Sequence, residues 1–509
     1  MADRSLVNGL NGEAKRKRKA AAEAQNGTPA EGQLLQKVLD LVGREHLISC
    51  PAEAKIVEFK HPKELEALLQ LDINPKGMNQ TQTEAFMETV VRYSVRTQHP
   101  HFYNQFYGSV DEVALAGAWL TDALNTNQIT YEVSPVFILM ERFVLAKLGS
   151  IFGYDQADGI FAPGGSISNL HAMLLARYKL HPEIKQSGIF SLKPLVAFTS
   201  DQSHYSIRKA AVTMGLGLDN VVQVKTDSVG RMIPQELKKA VKRARDEGKE
   251  PFFVCATCGS TVLGAYDSLE ELADICSLEG LWLHADACVG GCAIFSERLK
   301  HFLDGIHRAD SIAWNPHKML CVPLQCSVFL TRHKGLLDAC HSARASYLFQ
   351  QDKFYDVSYD VGDKSFQCGR KVDVFKLYFI LSVRGLDEIA SRIEAAFDAA
   401  AYLSEQVALR PNFRQVIPAA QCANTCFWFV PESLRGKEET PEWWEKLGKV
   451  APRVKTRMVQ AGTLMIGYQP IENKNLVNFF RMTNTCVPVP TSADMDFVLD
   501  EIERLGKDL

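Results

Sequence analysis

Between residues 194 and 317, short and almost wholly apolar runs alternate with helical patterns, and few architectures accept that order. The runs PLVAFTS (194–200), NVVQVKT (220–226), PFFVCAT (251–257), LWLHADA (281–287) and SIAWNPH (311–317) are each of strand length. Helical spacing falls between them, in SHYSIRKAAVTMG (203–215), IPQELKKAVKRARDEG (233–248) and SLEELADICSLEG (268–280). A strand that is apolar on both faces must be covered on both, so an α/β fold with a parallel sheet between helical layers is expected. Right-handed crossovers then bring the C-terminal ends of the strands to one edge, where ligands bind.

The flanking segments read differently. Residues 1–32 offer little to bury and are expected to be a disordered tail; its basic run Lys15–Lys19 reads as a solvated charge run rather than an address. The segments LLQKVLDLV and ELEALLQL fit amphipathic helices, giving an N-terminal helical segment over 33–100 of the kind that often packs on a partner subunit. The large domain is expected over 101–385. A smaller C-terminal α/β lobe follows over 386–509, with a helix from Leu386 to Leu409, the strand NTCFWFVP and a last helix, MDFVLDEIERLG.

A chain of 509 residues, 46% hydrophobic and 23% charged with a net charge of −3, gives no basis for a nucleic-acid or membrane field. No run of about 18 apolar residues appears and the N-terminal stretch lacks a signal-peptide core, so a soluble, cytoplasmic protein is expected. The thirteen cysteines sit in apolar contexts and read as free thiols. Cys255 and Cys258 have CxxC spacing, but no second pair follows at zinc-site distance, so no metal is expected.

Four unusual sequences fall at strand ends. The loop Ala162-Pro-Gly-Gly-Ser-Ile-Ser-Asn169 opens a helix, whose free amides and dipole suit a phosphate. Asp286 ends an apolar strand and needs a partner there, which a turn or a pyridinium nitrogen could supply. His204 follows another strand, either as a turn residue or lying flat on an aromatic ring. Lys318 stands in NPHKML, thirty-two residues beyond Asp286. A phosphate cradle, an acid, a stacking imidazole and a lysine, in that order, describe a pyridoxal 5'-phosphate site.

The motifs PGGSISN, SHYSI, HADA, NPHK, SYLFQQDKFYDVSYD, QCGRKVD and NFFRM resemble the animal acidic amino-acid decarboxylases of the fold-type I pyridoxal-phosphate group, from about residue 35 to the C-terminus. The resemblance implies that group's mostly parallel seven-stranded sheet, and a homodimer with sites at the interface. It implies that Lys318 holds the cofactor covalently, that Asp286 keeps its ring nitrogen protonated, and that His204 and Cys288 lie on opposite ring faces. It further implies phosphate contacts from Gly165, Ser166 and His317, and ring or phosphate contacts from Thr257 and Asn315. Arg481 matches the arginine that takes a substrate carboxylate, where a planar fork suits the anion; Gln105 is implied in the same pocket. Tyr347 begins a loop that closes over the site and delivers a proton to the substrate carbon.

The chain departs from that family where Val289 replaces a tryptophan, Ser260 a threonine, and Cys321-Val-Pro323 smaller residues. Loss of an indole at 289 is expected to widen the wall beside the cofactor. The loop SYLFQQDKFYDV and the run TVLGAYD favour the shorter acids, cysteine sulfinate and aspartate, with glutamate as the alternative. A non-catalytic relative kept as a binding protein would be marked by loss of Lys318 or Asp286, and both are present.

Overall fold

The computed structural model describes residues 32–509; the tail to residue 31, with the basic run Lys15–Lys19, lies outside them. The described residues divide into two compact units, one of residues 32–102 with 456–465, the other of 103–455 with 466–509.

In the first unit the amphipathic segments form the helices Gln33–Arg44 and Pro62–Leu69, and a third helix runs Gln80–Tyr93. Asn79 caps the third by accepting from the Gln82 amide, and the Gln82 side chain accepts from the Asn79 amide in return. The Arg44 guanidinium reaches Glu88 at 2.6 Å, and the Ile56 amide donates to the Gly462 carbonyl at 2.8 Å. Leu34 and Leu35 stay exposed on the first helix.

The second unit is built on a seven-stranded sheet. Its strands are β1 (Asp158–Ala162), β2 (Leu195–Ser200), β3 (Val221–Val224), β4 (Glu250–Thr257), β5 (Trp282–Asp286), β6 (Ser311–Trp314) and β7 (Ser327–Thr331). The spatial order is β1-β7-β6-β5-β4-β2-β3. Strands β2 to β6 pair in parallel, while β7 runs antiparallel to both β6 and β1. The five expected strands are all present. Strands β1 and β7 and the helices Glu112–Leu124 and Pro135–Ile151 add to the sequence reading. The reversal at β7 has a simple cause: residues 315–326, between β6 and β7, hold no crossover helix, so the chain must turn back.

Burial explains the unbroken apolar runs, since every residue of β1, β2, β5, β6 and β7 is buried. One layer of the core gathers Val196, Phe198, Val254 and Leu283 with the helices Pro234–Asp246 and Leu269–Glu279. The opposite layer gathers Ala197, Phe253, Cys255 and Trp282 with the helix Gly165–Leu180. Buried apolar area at roughly 25 cal/mol per Å² makes these two layers the main source of stability.

A second, antiparallel sheet carries Met465–Ile471, Leu476–Thr483, Asn424–Phe429 and Phe413–Gln415 in that spatial order. It is tied to the large sheet's lobe by the helix Val374–Leu409. Gly385, with a φ of 73°, breaks that helix, and a side chain there would be strained. Among the described residues no helix is long and apolar enough to cross a membrane.

Candidate active site

The C-terminal ends of β1, β2, β4, β5 and β6 open onto one cavity of about 200 Å³. Gly165, Ser166, His204, Thr257, Asp286, Cys288, Asn315, His317 and Lys318 all line it, from five segments spread over more than 150 residues. Parallel strands force this convergence, because each delivers its following loop to the same edge.

The helix Gly165–Leu180 starts at the cavity, where the Gly165 and Ser166 amides precede the first intrahelical bonds, which run from Ile167 and Ser168 to the Gly164 carbonyl. Gly164 sits at φ 99°, and a Cβ on Gly165 would stand 2.6 Å from Cys288 Sγ and 2.7 Å from Asn315 Nδ2. Glycine is therefore the residue that lets this turn approach the floor of the site. Lys318 lies in a tight turn, its amide donating to the Asn315 carbonyl at 3.0 Å. The backbone of Cys326 engages His317 at Nδ1, leaving Nε2 for a ligand, and burial pushes this imidazole down to about 4.

Asp286 is buried and accepts from Asn169 Nδ2 at 2.8 Å and from the Cys288 amide at 3.2 Å. Burial alone would raise its pKa, but the nearby His204 and Lys318 and the Asn169 hydrogen bond outweigh it and hold the carboxyl below its usual range. His204 is lowered by burial, against the pull of Asp286. The Cys288 thiol is pushed far up by burial and stays neutral.

Arg481 lies on Leu476–Thr483, beside the cavity rather than in its wall. Its Nη1 donates to the carbonyl of Thr261, a cavity residue, at 3.2 Å, and its Nη2 to the Asn104 carbonyl at 3.0 Å. Gln105 is exposed, and its neighbour Asn104 makes the contact to Arg481. Tyr347 is 75% exposed and lies outside the cavity lining. Val289 does form part of the wall.

The pyridoxal-dependent decarboxylase conserved domain matches residues 62–430. The chain belongs to this family. Human cysteine sulfinic acid decarboxylase is 51% identical over 458 residues, covering 89% of this chain and 92% of the relative. The acidic amino acid decarboxylase GADL1 of Bos taurus is 50% identical over 456 residues, covering 89% and 87%. The crystal structure of mouse CSAD superposes with a TM-score of 0.90 at 48% identity, covering 94% of this chain and 98% of that one. The protein is thus a pyridoxal-phosphate-dependent amino-acid decarboxylase, with that family's α/β fold.

The cavity fits the cofactor on its own evidence. Thr257 Oγ1 and Asn315 Oδ1 are buried without a protein partner, although both residues line the cavity. Buried orphan polar atoms are costly and rare unless a ligand satisfies them. The space a Cβ would fill at Gly165 is likewise kept open.

Two residues of this decarboxylase escaped the sequence reading. Asn169 lines the cavity and holds Asp286; its signal was its place one helical turn after Gly165, on the same face. Asp267 is buried and accepts from the Thr257 and Met232 amides at 2.7 and 2.6 Å, fixing the end of β4. Nothing in its local sequence marks that role.

Proposed function

We propose that the chain removes the α-carboxyl group of a short acidic amino acid, cysteine sulfinate to give hypotaurine and/or aspartate to give β-alanine. Glutamate, giving GABA, is the competing substrate. One observation carries the acidic class. Arg481 is held by two carbonyl oxygens and keeps a buried Nε without a partner, so its charge is available to a substrate anion. The kinship to cysteine sulfinic acid and acidic amino acid decarboxylases supports the shorter acids.

Pyridoxal phosphate supplies the electron sink for the bond that breaks. Lys318 would hold the cofactor through its side-chain amine. Asp286 would keep the ring nitrogen protonated, and His204 and the neutral Cys288 thiol would contact the ring. The Gly165 and Ser166 amides and His317 Nε2 would take the phosphate, and Thr257 and Asn315 would contact the ring or the phosphate. Arg481 and Gln105 orient the substrate, and Tyr347 returns a proton to its carbon when the loop closes.

We further infer a homodimer. Trp119, Leu120 and Leu124 on one helix, and Val136, Leu139 and Phe143 on another, leave large apolar side chains exposed that a second copy would cover. Thirteen free thiols suit the reducing cytoplasm.

The test is a comparison of kcat/KM for cysteine sulfinate, aspartate, glutamate and an aromatic amino acid. One of the first two is expected to lead. Glutamate leading would exchange the substrate, and the aromatic acid leading would remove the anionic anchor. In parallel, the wild type is expected to be yellow with cofactor and Lys318→Ala colourless.

A further inference from the structure

Asp286 does not stand alone behind the cavity. The Trp282 indole donates from Nε1 to Ser311 Oγ at 2.9 Å, and Ser311 Oγ lies 2.9 Å from His284 Nδ1. His284 Nε2 lies 2.9 Å from Asn169 Oδ1, and Asn169 Nδ2 donates to Asp286 Oδ2 at 2.8 Å. The same Nδ2 reaches Ser206 Oγ at 2.9 Å, and Ser206 Oγ lies 2.8 Å from His204 Nδ1. All of these residues but His204 are buried.

The two ends fix the direction of every bond between them. An indole can only donate and an ionised carboxylate can only accept. Ser311 accepts from Trp282, so its hydroxyl proton goes to His284 Nδ1. The His284 proton is then on Nε2, pointing at Asn169 Oδ1, and the Asn169 amide faces Asp286. Burial pushes His284 down to about 4, so it keeps that single tautomer at neutral pH. On the branch, Ser206 accepts from Asn169 and donates to His204 Nδ1, which leaves the His204 proton on Nε2.

We propose that Asn169 and His284 are positioning residues for the cofactor's ring nitrogen: a one-way hydrogen-bond chain from Trp282 orients the Asp286 carboxylate and holds it ionised. This rests on the reading of Asp286 as the partner of that nitrogen. Asn169 supplies the charge-assisted bond, and His284 prevents its amide from turning over. With Asn169 flipped, an oxygen would face the carboxylate and a repulsion would replace the bond.

The test measures the affinity of the apoprotein for pyridoxal 5'-phosphate and for its 1-deaza analogue, in which a CH replaces the ring nitrogen. Wild type is expected to prefer the natural cofactor. Asn169→Leu is expected to cut that preference by about tenfold or more, the scale of one hydrogen bond to a charged group, with the analogue's affinity within about twofold of wild type. Should Asn169→Leu fail to fold, His284→Gln and His284→Asn decide the matter. A glutamine amide reaches the Nε2 position and is expected to keep the preference; an asparagine amide reaches only the Nδ1 position and is expected to lose it.

An undiminished preference in Asn169→Leu, or equal loss of both affinities, overturns the positioning role in favour of packing alone. Indistinguishable behaviour of the two His284 variants does the same. A wild type with no preference at all removes the Asp286 reading itself, and with it this proposal.

Discussion

Glu141 and Arg370 meet as a buried ion pair, with Arg370 Nη2 at 2.5 Å from Glu141 Oε1 and both side chains 3% exposed. The remaining lone pairs are occupied, since Gln128 Nε2 donates to Oε2 at 2.9 Å and the Phe161 amide to Oε1 at 3.0 Å. Phe161 is the penultimate residue of β1, so the pair steadies the strand that ends in the Gly165 turn. Breaking it by Arg370→Ala strands a carboxylate in the core and is expected to cost roughly 3–5 kcal/mol. Urea unfolding measures this. Replacing both partners by apolar residues of similar size is expected to cost much less, and a single variant as stable as wild type would contradict the account.

Gly165→Ala puts a methyl group 2.6 Å from Cys288 Sγ and 2.7 Å from Asn315 Nδ2. Relief of that overlap moves the start of the helix by a fraction of an ångström and costs about 1–3 kcal/mol. Cofactor affinity is expected to fall at least tenfold with overall stability moved less, as read by titrating the apoprotein. Unchanged affinity would mean that the turn does not hold the phosphate.

Arg481→Ala removes the proposed anchor of the substrate carboxylate while Thr261 and Asn104 lose only carbonyl contacts. KM for the acidic substrate is expected to rise at least about tenfold, or turnover to vanish, with the bound cofactor's colour kept. Arg481→Lys is expected to recover little, because a lysine cannot bridge a planar anion with two parallel bonds. Unaltered turnover in Arg481→Ala would end its role.

Stability is expected to fall in mild acid. Burial lowers His284 and His317 from the ordinary 6.5 to about 4, so the unfolded chain takes up these protons first. Their contribution is complete above pH 6.5 and is lost as the pH drops from there through about 4, each histidine accounting for on the order of 3 kcal/mol. Urea midpoints at pH 7.5, 6 and 5 measure the slope, and His317→Asn is expected to flatten it. A midpoint that rises on acidification would contradict the burial of these rings in neutral form.

How far the site could be read ahead depended on where each residue's partners lie. His204, Asp286 and Lys318 were legible because each lies at or just beyond the end of an apolar strand, and a parallel sheet sends all such positions to one edge. Asn169 and Asp267 were not, since each is defined by bonds to residues more than thirty positions away or to backbone amides of another segment. The pairing of Glu141 with Arg370 spans 229 residues and left no local trace.

The sequence by itself determined the layered α/β core, the edge at which chemistry occurs and the cofactor that edge suits, because period, apolarity and turn residues are local properties. Only the tertiary structure decided that β7 reverses, that the Asn104 carbonyl holds Arg481, and that one directed chain of hydrogen bonds reaches Asp286 from Trp282. Those outcomes depend on which distant groups are left to satisfy one another once water is excluded, and no local pattern encodes that.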